Sequence, residues 1–329
     1  MILALLVISA LLPGVFSVQQ LGYYGADKAK VSISGISSGS CFATQFHVAY
    51  SSEVMGVGVM AGAPYYCAQA NSIIALRCMD SPSTIDTPYL VQVTKNTALT
   101  TNTIDDVDNM INDRVFVYGG TLDSVVMQGS VREVEEYYLA FGANIKTKYN
   151  LNAEHATPTD FYGNSCSYRG SPYINNCNYN AAYEILNHMY GGLTRPGSNT
   201  ILRGDFYAFD QDEFFYTSLP SQSSMDDVGY VYVPSGCDRR FSNCKVHIAM
   251  HGCEQGRVYL GDEYARNTGY NEVAELNDII IIYPQAINSI LLGNAMGCWD
   301  WWGYTGTAYA SNLAPQMIAV HRILERVLS

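Results

Sequence analysis

The sequence predicts an α/β protein built on a mainly parallel sheet, and two observations carry that prediction. Short β-branched or apolar runs alternate with helical patterns along the chain, and the 329 residues are 48% hydrophobic but only 15% charged. A chain of that length and apolar content can bury a large core. It is too hydrophobic for a disordered segment and lacks the heptad composition of a coiled coil.

The strand runs fall at 31–34, 56–61, 114–118, 229–233, 246–250 and 279–283, with a further strand expected at 144–149. Their continuous apolar character suits strands covered on both faces. Helical patterns occupy 38–50, 131–142, 262–276 and 311–328. The stretch 166–224 differs: it is rich in Tyr, Asn and Gly, has one helical piece at 181–189, and reads as an excursion over the sheet. No Pro- or Ser-rich linker and no internal repeat divides the chain, so a single domain is expected over 18–329.

Acidic residues outnumber basic ones, 30 to 18, giving a net charge of −12. Nucleic acid is therefore not expected as a partner, because phosphate-backbone affinity depends on clustered Lys and Arg displacing counterions. The first 17 residues carry no charge and hold an apolar run at 2–12, then Pro13-Gly14 and small residues near Ser17. This reads as a secretory signal peptide over 1–17, cut after Ser17. The run is shorter than the ~18 residues needed to span a bilayer, and no stable membrane insertion is expected.

Nine cysteines agree with a secreted protein. Cys67 and Cys78, Cys166 and Cys177, and Cys237 and Cys244 each bracket a short polar loop, which suggests local bridges. Cys253 and Cys298 then remain for a longer one, with Cys41 left over in what should be a buried helix. Spacing alone does not exclude other pairings. There is no CxxC or Cys/His ligand pattern, so neither a metal nor another cofactor is expected.

The chemistry concentrates at Gly35-Ile36-Ser37-Ser38-Gly39, directly between a strand and a helical run. A serine on such a tight turn stands exposed at a helix N-terminus, and the flanking glycines let backbones pass without Cβ clashes. Ser37 is the expected nucleophile. It needs a histidine to take its proton and a carboxylate to orient that histidine. Asp123 follows the 114–118 strand in the loop Gly119-Gly120-Thr121-Leu122-Asp123, whereas Asp105, Asp106 and Asp108 precede that strand, at its wrong end. His155 follows in a later loop and is the expected base; His47, His188, His247 and His321 fall on helices, a strand or the excursion.

An oxyanion needs backbone N–H donors. Ser38 should supply one, and the loop His251-Gly252-Cys253-Glu254-Gln255 should supply the other from Cys253. That loop comes after the Ser, Asp and His instead of before them. Joining the C-terminal helix to Lys30 would restore the ordinary α/β-hydrolase order, so the chain reads as a circularly permuted α/β-hydrolase fold whose two ends should lie close together.

Taken together, the 35–39 box, the Gly119–Asp123 loop, His155, His251-Gly252-Cys253-x-Gln255, Tyr283-Pro284 and Cys298-Trp299-Asp300-Trp301-Trp302 resemble extracellular poly(3-hydroxybutyrate) depolymerases of the single-domain, circularly permuted type. The resemblance implies a secreted serine esterase that cuts the polyester through an acyl-enzyme. It implies Ser37 as nucleophile, His155 as base, Asp123 as its partner, the amides of Ser38 and Cys253 as oxyanion donors, and a Cys253–Cys298 bridge beside the Trp segment.

Trp299, Trp301 and Trp302 are all the tryptophans of the chain and are expected to form an apolar wall for the substrate. The 26 tyrosines, against 11 Phe and 3 Trp, suit adsorption to a solid polyester. Two other readings stand beside this one: a feruloyl or acetyl polysaccharide esterase, separated by pocket shape, and a non-catalytic secreted binding protein, against which an intact Ser37, Asp123 and His155 set argues. The residues do not define an oligomeric state.

Overall fold

The computed structural model describes residues 18–237 and 243–329, so the expected signal peptide at 1–17 lies outside the described residues. Among the described residues eleven strands are formed: β1 Val31–Ile36, β2 Gly56–Met60, β3 Arg114–Tyr118, β4 Asn144–Lys148, β5 Thr157–Thr159, β6 Asn164–Ser165, β7 Ile174–Asn176, β8 Asp205–Asp210, β9 Val228–Val233, β10 Lys245–Met250 and β11 Ile279–Tyr283. Eight make the main sheet in the order β4-β3-β2-β1-β10-β11-β9-β8, and β5, β7 and β6 form a small sheet of their own. From β4 to β11 every pairing in the main sheet is parallel; β9 and β8 join antiparallel.

The central strands are buried along their whole length, VSISGI in β1 and IIIIY in β11. Such strands need cover on both faces. The helices are α1 Ser38–Ala49, α2 Ser72–Asp80, α3 Thr87–Thr101, α4 Gln128–Leu139, α5 Ala181–Tyr190, α6 Arg257–Leu260, α7 Glu263–Asn267, α8 Tyr270–Asn277 and α9 Pro315–Leu328, and α1, α4, α5, α8 and α9 bury their apolar faces with the strands. Alternate β1 side chains divide between two apolar clusters. Val31 and Ile33 pack with Phe42, Phe46 and the α9 residues Val320 and Ile323, while Ile36 packs with Ile185, Tyr264 and Tyr270.

Reading from β8 to the C-terminus and then from β1 to β4, the strands cross the sheet in sequence except that β10 and β11 exchange places. This is the permuted α/β-hydrolase order expected from the sequence. The start of the described residues meets the C-terminal helix accordingly: Gly25 N donates to Ser329 O at 3.0 Å, Ala26 N to Val327 O at 3.3 Å, and Arg326 Nη1 to Leu21 O at 3.1 Å.

α2, α3, α6 and strands β5 to β8 are not among the expected elements, and one expected helix is divided. β8 lies inside the Tyr-rich stretch, which thus returns to the main sheet as an edge strand; its sequence DFYAFD is only partly buried and carries Asp at both ends. The Thr-rich α3 is a poor helix former by composition, yet Asp86 caps it, accepting from Tyr89 N, and Pro88 sits in its first turn. The helix expected at 262–276 is split at Thr268-Gly269, where Gly269 takes φ 89°. Disulfides join Cys67 to Cys78, Cys166 to Cys177, Cys237 to Cys244 and Cys253 to Cys298, with Cys41 free and buried.

Candidate active site

β1 stops at Ile36 and α1 starts at Ser38, so the single residue Ser37 makes the whole turn. Its backbone takes φ 56° and ψ −125°, a strained conformation for a residue with a side chain. The surroundings enforce it. A Cβ on Gly35 would stand 2.4 Å from the Gly39 carbonyl, and one on Gly39 would stand 2.2 Å from His251 O, so no larger residue fits either position. Ser37 N donates to Met60 O at 2.9 Å, and Ser40 Oγ donates to Ser37 O at 2.7 Å.

Asp123 and His155 come from the loops that follow β3 and β4. Leu122 N donates to Ala153 O at 3.1 Å and Thr121 N to Leu151 O at 2.9 Å, stitching the two loops together. Gly120 permits the contact, since a Cβ there would meet Ala153 O at 2.2 Å. His155 Nδ1 then lies 2.9 and 3.1 Å from the two Asp123 oxygens. Asp123 Oδ1 also accepts from Val125 N at 2.9 Å and Val126 N at 2.8 Å, which fixes the carboxylate before the histidine meets it. The side chains are 8% and 1% exposed, for His155 and Asp123 respectively, so their attraction is weakly screened.

The other five histidines are engaged elsewhere. His47 is enclosed between Asp113 and Tyr138, His247 between Ser32 and Ser34, and His188 meets Asn144 O. His321 stacks on Tyr50 beside Glu53. His251 is buried at the start of its loop. Asp105 accepts from Ser52, and Asp106 caps a short turn by accepting from Asp108 N.

The loop after β10 brings the His-Gly segment against the serine: a Cβ on Gly252 would stand 3.3 Å from Ser37 Cβ. The Cys253–Cys298 bridge ties this loop to the Trp segment, and Trp299 N donates to Ser38 Oγ at 3.3 Å. Here the structure corrects the expected apolar wall. Trp299 is fully buried, with its ring 5.0 Å from Phe42 and 5.3 Å from His251, and Trp301 is only 7% exposed. Both support the loop from beneath; only Trp302 is half-buried. The reason is Asp300, whose carboxylate accepts from Gly303 N, Tyr304 N and Thr305 N at 2.7, 3.1 and 2.8 Å and folds the segment inward. Burial pushes the Asp300 carboxyl up from its usual range, against those hydrogen bonds. Neither Asp300 nor Gln255 was singled out by residue type; only the motif spacing marked them.

Among the described residues, no group of three His, Cys, Asp or Glu side chains is placed to hold a metal ion. A strained serine elbow, a carboxylate-paired histidine and a His-Gly loop at one end of a mainly parallel sheet are the arrangement of the α/β-hydrolase fold class.

No family model matches the chain. A poly(3-hydroxybutyrate) depolymerase from Delftia acidovorans is 41% identical over 308 residues, covering 92% of this chain, which spans 60% of that protein's length. A polyhydroxybutyrate depolymerase from Talaromyces funiculosus is 34% identical over 321 residues, 93% of this chain and 91% of that one. The crystal structure of PHB depolymerase from Penicillium funiculosum matches with TM-score 0.85 at 32% identity, covering 94% of this chain and 99% of that one. A PHB depolymerase with serine replaced by alanine, complexed with an R3HB trimer, gives the same figures. The chain belongs to the poly(3-hydroxybutyrate) depolymerase family.

Proposed function

We propose that this chain is a secreted serine esterase that cleaves poly(3-hydroxybutyrate) or its oligomers through an acyl-enzyme. The observation that carries the site assignment is the His155–Asp123 pair, with Nδ1 at 2.9 Å from the carboxylate, in loops at the same edge of the sheet as Ser37. Engaging Nδ1 leaves Nε2 as the nitrogen for the serine proton.

In this reading Ser37 Oγ attacks the ester carbonyl while His155 takes the hydroxyl proton. Asp123 holds the imidazole in the required tautomer and stabilises the imidazolium without itself taking the proton. The amides of Ser38 and Cys253 receive the oxyanion. Collapse of the tetrahedral intermediate breaks the ester C–O bond, and His155 returns its proton to the departing alcohol. Water, deprotonated by His155, then attacks the acyl carbon, and His155 returns that proton to Ser37 Oγ as the Ser37–acyl C–O bond breaks and the acid leaves.

The substrate class follows from the family and from the Delftia and Talaromyces relatives named for it. Trp302, whose ring lies 4.9 Å from Tyr304, is the part of the Trp segment left to face an ester unit. Ile290 and Leu291, 85% and 96% exposed on the loop leading to Cys298, offer apolar contact to a solid polymer. Secretion is supported by four disulfides, which suit an oxidising compartment. No helix among the described residues is long and apolar enough to cross a membrane.

The test is release of soluble 3-hydroxybutyrate from amorphous polymer by wild type and Ser37→Ala, with a short p-nitrophenyl ester alongside. Release by wild type alone supports chemistry and substrate together. Hydrolysis of the small ester without release would overturn the polyester and redirect the search to feruloyl or acetyl esters. Turnover of neither substrate would leave a binding protein.

A further inference from the structure

His251 is fully buried and takes no part in the proton transfers described above, yet both its ring nitrogens are used. Ala286 N–H donates to Nε2 at 3.0 Å, so Nε2 carries no proton. The remaining proton must then be on Nδ1, which lies 2.7 Å from Gly252 O and donates to it. Burial pushes His251 down to about 4, which keeps the ring neutral and holds this tautomer in neutral solution.

The Gly252 carbonyl belongs to the same peptide plane as the Cys253 N–H. In a trans peptide the two point in opposite directions. Drawing the carbonyl towards His251 therefore turns the Cys253 N–H away from it. On the other side of Gly252, its own N–H donates to Gln255 Oε1 at 2.7 Å. The Gln255 amide is oriented in turn, because Nε2 donates to Pro172 O at 3.0 Å and Tyr173 O at 3.1 Å. Glu254 N donates to Met296 O at 2.8 Å, and Cys253 is bonded to Cys298. The segment is thus held through the Gly252 carbonyl, the Gly252 N–H and the Glu254 N–H, on both sides of the Cys253 N–H.

We propose that His251 and Gln255 are positioning residues for ester hydrolysis, which aim the Cys253 N–H at the oxyanion by holding Gly252 through its carbonyl and its N–H, one in each of its two peptide planes. This rests on the reading of Cys253 as an oxyanion donor. A merely structural histidine would fill the space between Trp299 and Tyr264, whose rings lie 5.3 and 6.2 Å from it, and its hydrogen bond to Gly252 would not affect the rate.

The experiment compares His251→Leu with His251→Asn on p-nitrophenyl butyrate, reading kcat and KM separately and the melting temperature of each. The Asn amide nitrogen can occupy the place of Nδ1 and donate to Gly252 O; Leu cannot. The expected result is a kcat loss of about 10² to 10³-fold for Leu, the size seen when one oxyanion donor is removed, with KM within about threefold. His251→Asn should recover at least about tenfold of that loss at a similar melting temperature. An unchanged kcat in His251→Leu, or equal losses in both variants, would overturn the proposal. If His251→Leu does not fold, Gln255→Met tests the other side of the clamp, and an unchanged kcat there overturns it equally. Ser37→Ala in the same assay separates the two readings. Turnover by that variant would sink the serine-esterase mechanism itself, whereas a dead Ser37→Ala beside fully active His251 variants would sink only the clamp.

Discussion

His155 and His247 occupy two regions of the molecule that treat the same side chain in opposite ways. His155 sits on a loop at the edge of the sheet with Asp123 on Nδ1. His247 sits inside β10, with Ser32 Oγ and Ser34 Oγ each 2.7 Å from one ring nitrogen, and Tyr190 and Tyr270 behind those hydroxyls. A carboxylate can stabilise an imidazolium; a ring of hydroxyls in a dry interior cannot do so well enough, and burial pushes His247 down to about 3. The contrast teaches that a base needs a charged partner and one nitrogen left over. A histidine with both nitrogens engaged by neutral groups is a fixed hydrogen-bonding block.

The largest effects should come from the first region. Ser37→Ala is expected to lower kcat by on the order of 10⁴-fold or more, and Asp123→Asn by about 10³ to 10⁴-fold, with melting temperatures near wild type. Adding His155→Ala to Ser37→Ala should cost little further, since such groups act as a unit. Full additivity in single-turnover assays would break the comparison.

Replacing both Cys253 and Cys298 by Ser opens a loop of 45 residues. Stability should fall by about 2–4 kcal/mol, measured by urea unfolding. Activity should fall with it below the melting temperature, because the bridge holds the loop that lies against Ser37.

The second region predicts an acid sensitivity. His247 and His251 have folded values pushed down to about 3 and about 4, below the 6.5 of an unfolded histidine. The unfolded chain therefore binds protons first as pH falls. Their stabilising contribution is complete above pH 6.5 and declines down to those folded values, each by about 1.4 kcal/mol per pH unit within its window. Urea unfolding at pH 7, 6 and 5 checks this, and stability that rises towards pH 5 would contradict it.

The smallest effect is expected at His188, which meets Asn144 O at the start of β4, at the opposite end of that strand from the loop that carries His155. His188→Ala should leave kcat/KM within about twofold. A loss comparable to that of His155→Ala would mean that the wrong histidine has been paired with the serine.

The central strands and α1 are legible in the sequence because continuous β-branched runs and a helical period each encode burial locally. β8 is not, since an edge strand flanked by Asp205 and Asp210 carries no such run. The Trp segment shows the same limit at the site. Three tryptophans in four residues signal importance, but which of them lies beneath the loop depends on where Asp300 gathers the backbone amides.

The sequence by itself determined the serine turn, because Gly35-x-Ser37-x-Gly39 between a strand and a helix is a local arrangement. The contact between Gly35 and Gly39 behind it is settled within a few residues, whereas the approach of His251 O to Gly39 and of Met60 O to Ser37 N comes from across the sheet. It also pointed to the permuted order, since the order of motifs along a chain is sequence information. Its place after a strand marked Asp123 as the acid, but tertiary structure alone brings it to His155, 32 residues away, where the loops after β3 and β4 are stitched together. It decided likewise that Trp299 is core and that His251 grips the Gly252 peptide. Such contacts depend on which loops share an edge of the sheet, and spacing along a chain does not contain distance across a fold.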